Sequence, residues 1–292
     1  MAGAALSEDI ERFGRSYAAQ RREEGRGYEG ADLLALPHLD RGPLAHEWAV
    51  RACTFEAFHD RVVRTMACGV REPLKIIDLG AGNGWLSFRL AAEGHSCTAI
   101  DIRDDRVDGL GAADDLVRRH AFERRVASFD ALPLLDHGAD IAVFNASLHY
   151  ATDLGATFRE AARCVRPGGT IAILDSPFYA RSADGEAMVA EKHRLAHGRF
   201  GARAEALLAL PHTEYLTRDR LAEASGPLGL VWRRHRVHYP LWYELRPVVA
   251  VLRRRRRPSR FDLWTAEVPM NPSIGRPALS VAGPADAVTG AS

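Results

Sequence analysis

The stretch that decides the fold of this chain is IIDLGAGNGWLSFRLA, from Ile76 to Ala91. Three glycines, at positions 80, 82 and 84, stand directly between an apolar run and an amphipathic run. The apolar run predicts a buried strand, and the amphipathic run predicts a helix. A glycine-rich turn between a strand and a helix indicates a site for a nucleotide-like ligand.

The segments around this turn repeat the alternation of strands and helices. Five apolar runs predict strands: LKIIDL, SCTAIDI, RVASF, DIAVFNA and GGTIAILD. The segments near 85–93, 105–120 and 154–166 have helical spacing between them. Later segments predict helices over 178–215 and 216–225, strands at 229–239 and 260–268, and a helix broken near Pro247. The pattern predicts an α/β fold with a doubly wound, mostly parallel seven-stranded sheet.

Composition excludes several classes of protein. The chain has 292 residues and a net charge of +1, so bulk charge does not favour binding to nucleic acid. No run approaches the roughly 18 apolar residues of a membrane span, and the first residues lack a signal-peptide pattern. The four cysteines have no CxxC or His-rich partner motif, which predicts no metal site and no disulfide framework. Their use is typical of a reducing cytoplasm, where we expect the protein to be located.

The spacing of the glycines separates the candidate ligands. A dinucleotide turn has the pattern G-x-G-x-x-G, but its third position here is Trp85, which is too large for close helix–strand packing. No Gly-Lys-Ser/Thr follows, so the stretch is not a P-loop. The observed pattern is D-x-G-x-G-x-G, which begins at Asp78. This spacing lets the backbone approach a ribose and an amino-acid group, and a dehydrogenase remains the alternative at the level of the fold.

Further motifs follow in a fixed order along the chain. AIDIRDD places Asp101 at the end of the second strand, and SFDALP places Asp130 after the third. DIAVFNASLHYATD and CVRPGGTIAILD cover the fourth strand and the turn into the fifth. With the glycine motif, these segments resemble the class I S-adenosylmethionine-dependent methyltransferases, firmly over 74–175 and loosely to 268.

The resemblance implies a Rossmann-like fold, S-adenosylmethionine as cofactor and S-adenosylhomocysteine as product. It implies that Asp101 accepts hydrogen bonds from the ribose hydroxyls and that Asp130 contacts the adenine amino group. Tyr28 is a candidate lid residue over the cofactor, and Arg51 is a candidate partner of the methionine carboxylate. The implied cofactor residues in full are Tyr28, Arg51, Asp78, Gly80, Ala81, Gly82, Asn83, Gly84, Trp85, Asp101, Ile102, Asp130, Ala131, Asn145 and Ala146.

The sequence contains fewer motifs for the side of the site that would bind the acceptor. His149 follows the fourth strand and has the titration range of a general base, and Tyr150 lies beside it; local packing is the alternative for both. A helical insertion at 176–228 occupies the family's usual place for substrate binding. The candidate substrate residues are Tyr17, Phe178, Tyr179, His193, His212 and Tyr215. Arg253 to Arg257 indicate either a solvated helix end or contact with phosphates or an anionic lipid surface.

The resulting prediction is methyl transfer to O, N or C of a small molecule. A donor-binding protein without transfer activity, or other chemistry with the same cofactor, is the alternative. Nucleic-acid methylation is disfavoured because Asn145-Ala146-Ser147-Leu148 lacks the prolines of base-methylating relatives. We predict a helical N-terminal extension at 1–70, a methyltransferase domain at 71–268 and a disordered tail at 269–292.

Overall fold

The protein contains a seven-stranded sheet with the strand order β3-β2-β1-β4-β5-β7-β6. The computed structural model describes residues 2–270, and for residues 2–10 only the backbone. The strands β1 to β5 run parallel, whereas β7 is antiparallel to both β5 and β6. Their bounds are β1 Lys75–Leu79, β2 Ser96–Asp101, β3 Glu123–Val126, β4 Ala139–Asn145, β5 Val165–Leu174, β6 Arg233–His235 and β7 Leu263–Glu267. The predicted α/β class and mostly parallel sheet are confirmed.

Helices cover both faces of this sheet. Alternate strand residues enter opposite layers of the core: Ile76 packs into one and Ile77 into the other, as the two-residue strand period requires. Within the described residues the helices are α1 Ala2–Glu23, α2 Gly30–Ala35, α3 Ala45–Phe58, α4 Arg64–Ala67, α5 Trp85–Ala92, α6 Asp114–Arg119, α7 Leu154–Cys164, α8 Ser182–Phe200, α9 Ala204–Leu208, α10 Arg218–Ser225, α11 Leu241–Glu244 and α12 Arg246–Leu252.

Two segments differ from the sequence-based expectation. The third strand ends at Val126 instead of continuing to 129, because it is an edge strand whose residues are all exposed. The helix expected over 105–120 is a loop in its first part. There the Asp105 carboxylate accepts hydrogen bonds from the backbone N–H groups of Val107 and Asp108, at 2.9 and 3.0 Å, in place of helical bonds.

Other expected boundaries agree with the structure. Thr217 caps α10, where its hydroxyl accepts the Arg220 backbone N–H. The helical segment after Pro240 is divided into α11 and α12 beside Pro247. The predicted tail lies outside the described residues from position 271 onward, and the division into three parts stays a prediction. No helix among the described residues is long and apolar enough to cross a membrane.

Candidate functional site

A cavity of about 670 Å³ lies above the carboxyl ends of the parallel strands. This is the edge of an open α/β sheet where ligands bind, because the strand order reverses there between β1 and β4. The predicted site residues that line it are Tyr17, Arg51, Gly80, Ala81, Gly82, Asn83, Trp85, Asp101, Ile102, Asp130, Asn145, Ala146, His149, Tyr150 and His212. The structure therefore places candidate cofactor and candidate catalytic residues around one space.

The glycine turn needs its glycines for different reasons. All three have positive φ angles, of 76°, 54° and 74° at positions 80, 82 and 84. A Cβ on Gly80 would lie 2.3 Å from the Ser147 Cβ, so position 80 must be bare for the end of β4 to pack. A Cβ on Gly84 would lie 3.1 Å from the Phe122 ring. Of these two, only Gly80 lines the cavity, whereas Gly84 packs beneath it.

Asp101 joins the turn to the loop after β2. One carboxylate oxygen accepts the Gly82 backbone N–H at 2.9 Å, and the other accepts the Arg103 backbone N–H at 2.9 Å. Burial raises the pKa of Asp101, while the Arg103 guanidinium opposes that rise. An ionised carboxylate has about four acceptor positions. Two positions remain for ligand hydroxyl groups, and Asp101 lines the cavity.

Asp78 does not reach the cavity, although it was predicted as a cofactor residue. Strand alternation turns its side chain to the same face of the sheet as Ile76, under α5. There it accepts the Ser87 hydroxyl at 3.0 Å, and burial raises its pKa to about 7. The structure thus gives Asp78 a role in holding α5 to β1.

Two further predicted cofactor residues lie away from the cavity. Tyr28 is buried, and its hydroxyl accepts the Trp48 indole N–H at 2.6 Å, so the residue packs α3 and does not form part of the wall. Ala131 is also absent from the lining. Trp48 itself lines the cavity, so Tyr28 acts on the wall only through its neighbour.

The end of β4 carries polar groups that face the cavity. The Asn145 side-chain oxygen is buried and has no hydrogen-bond partner among the described residues. Ser147 donates to the Leu79 carbonyl at 2.5 Å, which ties β4 to β1. A buried amide oxygen without a partner is costly, and a ligand N–H or O–H would satisfy it.

His149 and Tyr150 form the opposite wall with His212 and Tyr17. The rings of His149 and Tyr150 have centroids 4.3 Å apart, and the Tyr150 hydroxyl lies 2.9 Å from the Tyr17 hydroxyl. Nδ1 of His212 donates to the Tyr150 carbonyl at 2.7 Å. Burial lowers the pKa of His149 to about 3, so its imidazole is neutral near pH 7. Nδ1 of His149 has no partner among the described residues and can bond to a ligand.

Four predicted substrate residues are not brought to this wall. Phe178 stacks on Trp264 at a centroid distance of 4.7 Å, and Tyr215 packs against Gly185. The Tyr179 hydroxyl accepts from Arg256, and His193 is exposed on α8. Their aromatic and polar character does not distinguish a pocket lining from core or surface. Only packing decided their positions.

Further residues that were not predicted from the sequence also line the cavity. Asp175 follows β5 with a φ of 49°, and neither carboxylate oxygen has a hydrogen-bond partner among the described residues. Burial raises its pKa to about 6, and the nearby Arg51 guanidinium opposes the rise. Its position at the end of a strand could have been used to predict it as a site residue. Arg21 and Asp108, joined at 2.5 Å, gave no comparable signal because they come from a helix and a loop.

Metal ligands do not assemble in the described chain. Among the described side chains, those of residues 11–270, no group of three His, Cys, Asp or Glu is arranged to hold a metal ion. The four cysteines are unpaired, and two of them, Cys97 and Cys164, are buried.

Comparison with known proteins matches this chain to methyltransferases. Residues 77–173 match the family described as "Methyltransferase domain". A malonyl-[acyl-carrier protein] O-methyltransferase of Hahella chejuensis is 29% identical over 142 residues, which is 46% of this chain and 49% of that protein. The 27-O-demethylrifamycin SV methyltransferase of Amycolatopsis mediterranei is 32% identical over 52% of this chain and 58% of that protein. The alignments thus span about half the length of these relatives.

Solved structures share the fold. The geranyl diphosphate C-methyltransferase of Streptomyces coelicolor, in complex with Mg²⁺, geranyl diphosphate and S-adenosylhomocysteine, has a TM-score of 0.60 at 15% identity. The superposition covers 89% of this chain and 98% of that one. The [4+2]-cyclase SpnF superposes with a TM-score of 0.51 at 18% identity, over 74% of this chain and 80% of that one. Residues 77–173 therefore carry a methyltransferase domain, and the sheet order and the glycine turn are those of the class I S-adenosylmethionine-dependent methyltransferase fold.

Proposed function

We propose that the protein transfers the methyl group of S-adenosylmethionine to an O, N or C atom of a small-molecule acceptor. The observation that carries the proposal is the single cavity that joins the glycine turn and Asp101 to the wall of His149 and Tyr150. In-line displacement at a sulfonium requires donor and acceptor in one space with their reacting atoms aligned. The volume of about 670 Å³ is within the usual range of ligand pockets.

The donor side of the cavity fits S-adenosylmethionine. The turn at Gly82 presents bare backbone, and Asp101 has spare acceptor positions for ribose hydroxyls. The Arg51 guanidinium has no carboxylate within ion-pair distance among the described residues, and burial lowers its pKa. A methionine carboxylate would satisfy that buried cation. Asp175 is the competing partner, because it contributes the largest opposing electrostatic effect on Arg51.

The wall formed by His149, Tyr150, His212 and Tyr17 is called the acceptor wall. It can orient a nucleophile and exclude water. S-adenosylmethionine supplies an activated methyl group on a sulfonium. Because burial keeps His149 neutral, its free ring nitrogen can accept a hydrogen bond from an acceptor O–H or N–H and so orient the nucleophile. Transfer of the proton to this ring is opposed by the same burial that lowers its pKa to about 3, so orientation is the role that the structure favours. Burial raises the pKa of Tyr150 well above its usual value, so its hydroxyl stays protonated and is able to donate a hydrogen bond.

The identity of the acceptor is a wider question. The relatives named above act on a malonyl group on a carrier protein and on a rifamycin, and the structural neighbour on geranyl diphosphate, by their names. These acceptors share only the character of organic metabolites or their carrier-bound forms. We therefore propose a small-molecule acceptor. Cytoplasmic location also stays a prediction.

Calorimetric titration of the purified protein tests the donor site. S-adenosylmethionine and S-adenosylhomocysteine should bind with micromolar affinity, and NAD should not bind. Acceptors are then screened by the formation of S-adenosylhomocysteine. Failure to bind either adenosyl ligand contradicts the proposal. Binding without turnover across acceptor classes supports the alternatives of a non-transferring binding protein or of other chemistry with the same cofactor.

A further inference from the structure

The outer surface of α11 and α12 is apolar. Leu241 and Leu252, at the two ends of this segment, are 73% and 78% exposed. We call the following side chains the α11–α12 face; all are exposed: Leu241, Trp242, Leu245, Val248, Val249, Val251 and Leu252. Seven large apolar side chains exposed within twelve residues are not the scattered surface residues of a soluble protein.

The charged residues of the same two helices point inward. Glu244 accepts hydrogen bonds from both terminal nitrogens of Arg260, at 2.7 and 2.8 Å. The Arg246 guanidinium lies 3.6 Å from the Tyr243 ring centroid and donates to the Ser259 carbonyl. A helix at a water interface has the opposite arrangement, with its charged side chains outside. This reversed arrangement indicates that the α11–α12 face contacts an apolar surface as well as water.

Unpaired arginines lie directly beside the apolar residues. Arg253, Arg254 and Arg255 follow α12 and are exposed, and no carboxylate in the described chain lies within ion-pair distance of them. A groove of about 890 Å³ between α8 and α12 is lined by Arg194, Arg253, Arg255 and Arg256. The only acidic side chain in its lining is Glu191, which pairs with Arg256 at 3.0 Å. The groove therefore has a net positive charge.

The α11–α12 face adjoins the cavity of the candidate site. Trp242 and Arg246 line both that cavity and the arginine groove. An acceptor that reached the face could enter the cavity past Trp242 without leaving an apolar surface.

We propose that the α11–α12 face docks the protein on an anionic phospholipid surface. The leucine and valine side chains enter the boundary between headgroups and acyl chains, and Arg253 to Arg255 contact the lipid phosphates. Trp242 lies at the interface, where its amphipathic ring is favoured. Docking is independent of the proposed methyl transfer. The route by which a lipophilic acceptor would enter past Trp242 rests on that function.

Other occupants fit this surface less well. A symmetric pair of copies would bury the same face on each and bring two arginine clusters close together, which is repulsive. An acidic protein would complement the arginines, but the α11–α12 face offers it no outward polar side chain between Leu241 and Leu252. An anionic bilayer supplies both the apolar layer and the negative layer.

Flotation of the full chain with vesicles tests the proposal. The protein should float with vesicles of phosphatidylcholine and phosphatidylglycerol but not with phosphatidylcholine alone, and added salt should release it. The triple variant R253Q/R254Q/R255Q should partition about 100-fold less, since each basic residue contributes about fivefold. The matched variant R71Q/R119Q/R159Q, in which the three arginines are exposed on other elements, should partition like the parent.

A second pair of variants tests the apolar contribution. L241S/L252S should reduce flotation with anionic vesicles, whereas Leu135→Ser, at a leucine that is 83% exposed elsewhere, should not. Tryptophan emission should shift to the blue on docking, and Trp242→Phe should remove most of that shift. Thermal unfolding of each variant without vesicles shows whether it remains folded.

Three results would overturn the proposal. They are no flotation with anionic vesicles, flotation that the arginine and leucine variants leave unchanged, and self-association in sedimentation that these variants abolish. Capture of an acidic carrier protein without vesicle binding would assign the face to that partner instead. Because donor titration is independent of vesicles, loss of docking with intact S-adenosylmethionine binding leaves the proposed methyl transfer standing.

Discussion

The two walls of the cavity are built in different ways. The donor wall comes from the strand ends and turns between Gly80 and Ser147, and hydrogen bonds lock it: the N–H groups of Gly80 and Ala81 donate to the Ile100 carbonyl at 2.7 and 2.9 Å. The acceptor wall collects side chains from distant parts of the chain. Phe13, Tyr17, Tyr150 and His212 meet there mainly through ring contacts.

The fold by itself determines only the donor wall of the site. Parallel strands bring their carboxyl ends to one edge whatever the surrounding helices do, so the donor wall follows from the sheet. The acceptor wall depends on how α1 and the segment after α9 pack over that edge. The same fold can therefore keep a donor and change its acceptor.

The largest effect should come from Gly82→Val on the donor wall. The residue lines the cavity with a φ of 54°, and a Cβ there would lie 3.1 Å from the Asp108 carbonyl. We expect calorimetric affinity for S-adenosylmethionine to fall by at least about 100-fold, the scale of a steric clash of roughly 3 kcal/mol. Gly30→Val is the matched control, because Gly30 has a φ of 53° and open space around it. Retained binding in Gly82→Val would show that the turn does not approach the ligand.

The next effect tests the acceptor wall. If His149 takes the acceptor proton, His149→Ala should lower turnover by about 10² to 10⁴ while affinity for the donor is kept. Because burial lowers the pKa of His149 to about 3, kcat/KM should show no inflection from this residue between pH 5 and pH 8. A variant as fast as the parent would make the residue structural. An inflection near pH 6.5 that the variant loses would show that the ring is solvated.

Asp101→Ala should have a smaller effect on the donor wall. Its carboxylate is expected to accept the ribose hydroxyls, and hydrogen bonds to a charged group are worth about 1.5 to 3 kcal/mol. Calorimetric affinity for S-adenosylmethionine should fall by that amount. Asp101→Asn keeps an acceptor for the Gly82 N–H and should lose less. Unchanged affinity in the alanine variant would move the ribose contact to another residue.

The smallest effect concerns Asp78, which lies in neither wall of the cavity. Burial raises its pKa to about 7, so the folded protein holds a proton that the unfolded chain releases above pH 4. The stability of the parent should therefore fall as pH rises from about 4 to about 7. Asp78→Asn should remove this dependence and be more stable than the parent at pH 8 in urea unfolding, because the amide has no charge to bury. The exposed Asp104→Asn should behave like the parent, and an Asp78→Asn variant that follows the parent's profile would refute the assignment.

The donor wall was largely predictable, and its exceptions have physical causes. Asp101 and Asn145 were found because polar residues end buried strands at the ligand edge. Asp78 is also a polar residue near the end of a buried strand. Its side chain points to a face of the sheet and not to the ligand edge, since side chains alternate along a strand. Asp175 also follows a strand but was not predicted as a site residue, although the apolar run before it indicates a strand that ends at the ligand edge.

The acceptor wall was predictable only where it touches the donor wall. His149 and Tyr150 follow β4 closely, so the sheet carries them to the cavity. His212 and Tyr17 were candidates by residue type, as were Phe178 and Tyr215, and nothing in their local sequence separates the two pairs. Long-range packing brought one pair to the cavity and buried the other against β7 and α8.

The amino-acid sequence alone determined the sheet, the glycine turn and the class of donor, because strand and helix periods and backbone freedom are local properties. The acceptor wall and the exposure of the apolar α11–α12 face follow only from the tertiary structure. Each of these depends on which side chains from distant segments compete for the same buried space. That competition is settled by packing and desolvation, which a linear pattern of residues does not record.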